Sequence, residues 1–284
     1  MPLKTRVSKS KKLPLTNSGA LSLFPVGCGS AFSKSLYQNN FLVVKGDDHL
    51  MIDCGSRTPE ALASLGRPVT EIENWLITHS HADHIGGLEE VMLLSRYFTR
   101  TKPNVIITAD YERSLWNFSL KGGTAPSEMR DGMELQFGDF WDVQRPEWLS
   151  GYPRETYHTT VGGIDVKAVR TRHFPQQARS WSESAYSIGL IFDDRIFFTG
   201  DTQFDPELLT SYDELFHFDY IFHDAQFFTG GIHASVEEFS TLPESLRSRM
   251  ILMHYSDGFR EHEKQVKQAG FVGFARQGAF HIFD

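Results

Sequence analysis

The spacing of apolar runs predicts an α/β chain with two sheets faced by helices. Short β-rich runs arrive in groups, and amphipathic segments lie between and after those groups. At 284 residues and 40% hydrophobic content, the chain is long enough to bury a sizeable core.

The elements follow in order. Residues 1–17 carry Lys4, Arg6, Lys9, Lys11 and Lys12 without a following apolar stretch, so they read as a flexible basic tail rather than a secretory signal. Length alone leaves residues 18–284 equally open to one large domain or two small ones. Ala20–Phe24 is a strand running into the loop Gly27-Cys28-Gly29, and Phe41–Val44 and Leu50–Asp53 form a hairpin across Gly46-Asp47-Asp48. The strand Trp75–Thr78 runs straight into a histidine cluster. Gly86–Phe98 has the period of an amphipathic helix, and Val105–Thr108 is another strand. From Tyr111 to His158 glycines and prolines break the pattern. Trp116–Gly132 there reads either as a lid or oligomer contact, or as an irregular surface excursion. Ile164–Arg170, Ser187–Phe192, Arg195–Thr199, Tyr220–His223 and Ile251–Met253 are strands, and Glu261–Ala269 is a closing helix stopped by Gly270.

Composition removes several classes of function. No run is long and apolar enough for a membrane helix. The net charge of −8 argues against long nucleic acid as a partner, because that affinity rests on neutralising phosphates. Cys28 and Cys54 are the only cysteines and lack metal spacing, so a reducing cytoplasm is expected.

The chemistry concentrates in Thr78-His79-Ser80-His81-Ala82-Asp83-His84. Three imidazoles and a carboxylate directly after an apolar strand are hard to explain as packing. Such ligands suit zinc, manganese or iron and leave positions open for water.

This H-x-H-x-D-H run resembles the signature of the metallo-β-lactamase superfamily, and other segments follow that pattern. His173 follows the strand Ile164–Arg170, Asp201 closes Phe197-Phe198-Thr199-Gly200-Asp201, and His254 follows Leu252-Met253. Met51-Ile52-Asp53-Cys54-Gly55 matches the upstream strand ending in Asp-x-Gly. The resemblance implies a four-layer αββα sandwich of two mixed, mostly antiparallel sheets. It also implies two divalent ions, zinc first, with manganese or iron as alternatives. One ion would take His79, His81 and His173; the other would take Asp83, His84 and His254, with Asp201 bridging. Asp53 would orient a ligand loop or merely cap a strand. His49, His158, His217, His262 and His281 match no motif position.

The reaction is narrowed by His223-Asp224-Ala225-Gln226 followed by His233-Ala234-Ser235. These resemble the His-Glu-Ala-Thr and His-Ser-Thr motifs of the tRNase Z branch and its phosphodiesterase relatives, with Asp in place of Glu and Gln in place of Thr. The resemblance implies a catalytic set of His233, Asp224 and Asp83, in which His233 protonates the departing oxygen. The plain alternative for His233 is a residue ahead of a helix over Val236–Leu246. His173 and Asp201 are only 28 positions apart, too close for the tRNA-gripping arm of bacterial tRNase Z. What remains resembles the compact phosphodiesterases that cleave cyclic nucleotides or cyclic sugar phosphates, the phage anti-Pycsar enzymes among them. That implies a small phosphodiester substrate, a nucleotide, and by analogy a homodimer. Phe174, Trp181, Tyr186, Phe227 and Phe228 are candidate base-stacking residues, and Arg170, Arg172 and Arg179 candidate phosphate contacts, against core and solvated-edge readings for each. A tRNase Z-like endoribonuclease, a lactone, β-lactam or thioester hydrolase and a di-iron sensor are the competing expectations.

Overall fold

The computed structural model describes residues 3–284. Its contacts gather into two compact units, each built on one eight-stranded sheet.

The first unit comprises residues 3–27, 40–146 and 278–284. Its sheet begins at Lys4–Val7, which pairs antiparallel with Ala279–Phe283. That strand continues to Leu21–Pro25, Phe41–Lys45 and Asp48–Ile52, all antiparallel. The chain turns between the last two across Gly46-Asp47, where Gly46 has a φ of 62°. From there the pairing is parallel, through Asn74–Leu76, Asn104–Ile106 and Asp142–Gln144. A parallel half forces helical crossovers, here Thr58–Ser64 and Leu88–Leu94, and the latter buries Leu88, Val91 and Met92. The tail expected to be flexible thus supplies an exposed edge strand; its first two residues lie outside the described residues.

The second unit comprises residues 28–39 and 147–277. Its sheet runs Glu147–Leu149, Thr156–Val161, Ile164–Arg170, Ile188–Phe192 and Ile196–Phe198 in antiparallel order. It then turns parallel through Tyr220–Asp224, Met250–Met253 and Gly273–Phe274. The helix Pro206–Phe216 starts on Asp205, whose carboxylate accepts the Leu208 N–H, and its Leu208, Leu209 and Tyr212 pack on Val169, Ile191, Phe197 and Ile221. Arg154 holds the same carboxylate through paired bonds of 2.8 and 2.9 Å in a buried ion pair.

Both sheets are mixed and flanked by helices, as the sequence predicts. Three departures have local causes. The strand Thr156–Val161 and the helix Ala109–Leu115 overlap the two ends of the stretch where the pattern fails. Trp116–Gly132 is largely helical, and its Trp116, Leu120, Thr124 and Ala125 are buried. The helix expected over Val236–Leu246 is two short pieces, because Pro243 cannot continue the first.

Candidate metal centre

Each unit carries a set of histidine and aspartate side chains at the carboxyl ends of its strands. In mixed α/β sheets this is where loops can converge on a ligand without breaking the ladder.

In the first unit, Asn74–Leu76 leads directly into Thr78–His84, and His81 stands ahead of the short helix Ala82–Ile85. The His79 ring lies 4.6 Å from His81 and 4.1 Å from His84, centroid to centroid. His84 Nε2 is 3.3 Å from Asp83 Oδ2. His79, Asp83 and His84 are buried, and His81 is half-buried. The arrangement is held from behind. Asp53 accepts the Thr78 N–H and O–H and the His84 Nδ1–H, each at 2.7 Å. Thr78 Oγ1 in turn lies 3.1 Å from His79 Nδ1. Asp53 sits at a φ of 64°, the left-handed region that a β-carbon disfavours, and such strain persists only where surrounding bonds enforce it. Burial pushes its carboxyl above the usual carboxylate range, against the pull of His84 and Thr78. Asn40 ties the two loops, accepting the Gly55 N–H at 2.5 Å and donating to the Asp83 carbonyl at 3.0 Å.

In the second unit, Ile164–Arg170, Ile196–Phe198, Tyr220–Asp224 and Met250–Met253 all run the same way. Their carboxyl ends therefore deliver His173, Asp201, Asp224 and His254 to one edge. Asp201 Oδ2 is 3.2 Å from His254 Nε2 and 4.0 Å from His173 Nε2. Gly200 ahead of it has a φ of 63°, and a β-carbon there would lie 2.5 Å from the Ile188 carbonyl oxygen, so only glycine fits. His254 is also left-handed, with a φ of 55°, and its N–H donates to Asn39 at 3.2 Å.

His233 stands beside these groups. Its ring stacks on His254 at 4.6 Å and lies 5.1 Å from His173. Its Nδ1 is 2.7 Å from Asp224 Oδ2, and its side chain keeps 20% exposure while Asp224 has none. Burial works against the charge of Asp224, but hydrogen bonds from His223 and His233 outweigh it and hold the carboxyl below its ordinary range.

The donor chemistry fits divalent cations. His84 Nδ1 donates to Asp53, His79 Nδ1 to Thr78 and His173 Nδ1 to the Ile232 carbonyl at 2.9 Å. An imidazole whose Nδ1–H is engaged in this way presents the Nε2 lone pair to a metal.

Other expected contacts go elsewhere. The Arg170 guanidinium lies over the rings of Trp181 and Tyr186, at 5.9 and 4.9 Å, and donates to carbonyls of that loop. Arg172 donates to the Arg179 and Phe204 carbonyls. These groups brace the loop after His173 rather than offering a phosphate contact or a free stacking face. Arg179 lines a separate depression with Arg154 and Trp181, and Phe174 packs edge-on against His173 at 5.2 Å. Of the histidines without a motif position, His158 pairs with Asp165 and His262 stacks on Phe227. Sequence reading missed Thr78, Asn39, Asn40 and the Ile232 carbonyl, which act only through hydrogen bonds to the donors or to the loops that carry them.

Fold and donor set define the class: a protein of the metallo-β-lactamase fold whose strand ends carry histidine and aspartate donors able to hold metal. A diphosphatase of the PhnP family aligns with a TM-score of 0.68 at 18% identity, over 93% of this chain and 98% of its own. The metallo-β-lactamase fold protein YhfI from Bacillus subtilis aligns at 0.65 and 14% identity, over 93% and 100%. The profile of the family described as Anti-Pycsar protein Apyc1 matches residues 21–281. A protein of that description from Bacillus phage 010DV004 is 38% identical over 268 residues, 92% of this chain and 98% of the relative. The chain belongs to the Anti-Pycsar protein Apyc1 family.

Proposed function

We propose that this protein is a dinuclear phosphodiesterase that opens the ring of a small cyclic nucleotide. In this reading His79, His81 and His173 hold one ion, Asp83, His84 and His254 hold the other, and Asp201 bridges them. When bound, such a pair lowers the pKa of water and neutralises charge on the attacking and leaving oxygens.

The observation that carries the reading is the His233–Asp224 pair at 2.7 Å, with the His233 ring against His254. Hydrolysis of a phosphodiester expels an alkoxide that needs a proton. An imidazolium held in one orientation by a buried carboxylate supplies it near neutral pH. Asp224 keeps Nδ1 engaged, so the proton is delivered from Nε2. Thioester hydrolysis releases a thiolate and gives such a group less to do, whereas lactone and β-lactam hydrolysis are separated from this reading by the substrate test. A tRNase Z-like activity is disfavoured because two strands, Ile188–Phe192 and Ile196–Phe198, occupy the stretch between His173 and Asp201.

The reading takes zinc as the metal, a homodimer as the assembly and the cytoplasm as the compartment; among the described residues no helix is long and apolar enough to cross a membrane. Metal analysis and light scattering check the first two. The central test offers metal-loaded protein 3′,5′- and 2′,3′-cyclic nucleoside monophosphates beside a lactone, a β-lactam and a thioester. Cleavage of a cyclic nucleotide alone is expected, and inertness toward every phosphodiester would end the proposal.

A further inference from the structure

Two phenylalanines of the second unit are out of place for a folded protein. Phe32 is 86% exposed and Phe228 is 69% exposed. Scattered surface aromatics are ordinary, but these two line one cavity of about 360 Å³ whose wall also holds His233 and His254. That volume is at the lower end of small-ligand sites, the size for a mononucleotide rather than a polymer.

The rest of the lining shows how the aromatics are positioned. Phe227 is half-buried, lies face to face on His262 at 3.9 Å with an interplanar angle of 3°, and meets Phe274 edge-on at 6.0 Å. It is a braced wall with one face already used. Phe228 is the next residue, on a loop closed at its neck by Gln226 N–H to the Ala234 carbonyl at 2.9 Å and Val236 N–H to the Gln226 carbonyl at 3.1 Å. The Gln226 amide spans that loop, donating to the Phe228 carbonyl at 2.8 Å and the Gly230 carbonyl at 2.5 Å. Its two donors are spent on holding Phe228 and cannot read the edge of a base. The same loop carries His233. Phe228 and the acid are therefore placed by one scaffold, and Phe32 enters the cavity from a distant part of the sequence.

We infer that Phe32 and Phe228 bind the nucleobase of the substrate by its faces, making them specificity-determining residues for the site proposed above. The inference rests on that reading for the reaction but not for the binding. Stacking on an aromatic side chain is worth about 1–3 kcal/mol per base, about 5- to 150-fold in affinity. Nothing in the contact selects the sugar or the phosphate. The two rings thus separate a nucleotide from a base-free cyclic phosphate of the same backbone.

The test uses the full chain and two readouts. In the first, kcat and KM are measured on 3′,5′-cyclic AMP and on methyl ribofuranoside 3,5-cyclic phosphate, which has methoxy in place of the base. Phe32→Ala and Phe228→Ala should raise KM for the nucleotide at least about 5-fold and leave the base-free diester unchanged. Phe228→Tyr should restore the nucleotide value. Both side chains are exposed, so the fold should survive, which a thermal melt checks. In the second, binding of 1,N6-ethenoadenosine is followed by quenching of its fluorescence, with no catalysis involved. Quenching by the parent protein that weakens in either alanine variant supports the inference. Equal changes on both diesters, or ethenoadenosine binding indifferent to both substitutions, would overturn it. If the parent protein cleaves neither diester, the phosphodiesterase reading falls, and the quenching experiment still decides the role of the two rings.

Discussion

Asp53 separates a ligand-orienting role from simple strand capping, and Asp53→Asn is the perturbation that distinguishes them. The change keeps size and shape, and asparagine tolerates the left-handed φ of 64°, so backbone strain is not altered. What changes is polarity. One Asp53 oxygen accepts the Thr78 N–H, and the other accepts both the Thr78 O–H and the His84 Nδ1–H. An amide offers one acceptor and one donor, so whichever way it turns a donor faces a donor. On the metal-free fold two effects oppose. Burial of the carboxylate, which already pushes Asp53 upward, is relieved, while hydrogen bonds worth about 1.5–3 kcal/mol each are lost or weakened. On metal binding they do not oppose, because His84 loses the partner that sets its tautomer. Removing such a partner costs about 10- to 100-fold in metal affinity, or about 1.4–2.7 kcal/mol. The assay is zinc titration against a chromophoric chelator, paired with urea unfolding of the metal-free protein. Zinc affinity should fall by that factor while metal-free stability shifts by less. An unchanged zinc affinity with a large loss of metal-free stability would refute the reasoning and leave Asp53 a strand cap.

Further expectations follow from individual residues. His233→Ala should cut turnover of a cyclic nucleotide about 100-fold or more yet barely affect bis(p-nitrophenyl) phosphate, whose leaving group needs no proton; equal losses would remove His233 from the acid role. Gly200→Ala places a β-carbon 2.5 Å from the Ile188 carbonyl in a left-handed residue and should cost more than about 2 kcal/mol in urea unfolding, whereas a neutral result would mean the strand end relaxes freely. His281 is buried in the strand Ala279–Phe283, and burial lowers its pKa from 6.5 to about 4. The unfolded chain therefore binds that proton first, so the stability this group contributes is present above pH 6.5 and lost as pH falls toward 4. At about 1.4 kcal/mol per pH unit the loss is about 3 kcal/mol by pH 4; the melting temperature of His281→Leu should fall less steeply than the parent's between pH 7 and 4.5. Exhaustive chelation should abolish turnover and lower the melting temperature, with zinc or manganese restoring both, since a ligand bound only by the folded state stabilises it.

The donors of both units were legible in the sequence because each sits in a local pattern: a strand, a tight turn, then the side chain. Backbone geometry at a strand end is a short-range property, so Thr78–His84, Gly200-Asp201 and Met253-His254 can be recognised without knowing what lies opposite. The dyad was readable on the same grounds, since His223–Ser235 is one continuous segment. The edge strand at Lys4–Val7 was not. Its residues are exposed and charged, and its pairing with Ala279–Phe283 comes from the other end of the chain. Nor was the use of Arg170, whose charge suggested a phosphate contact until Trp181 and Tyr186 were found beneath it.

Sequence by itself determined the set of candidate metal donors and the class of fold, because those depend on residue types at short spacing. Tertiary structure decided which second-layer groups fix the imidazoles and which aromatics face a cavity. Thr78 and Asn40 act through hydrogen bonds to Asp53, Gly55 and Asp83, and Phe32 joins Phe228 in lining one cavity only when distant segments meet. Side-chain exposure and long-range contact are set by the packed whole, and no local pattern encodes them.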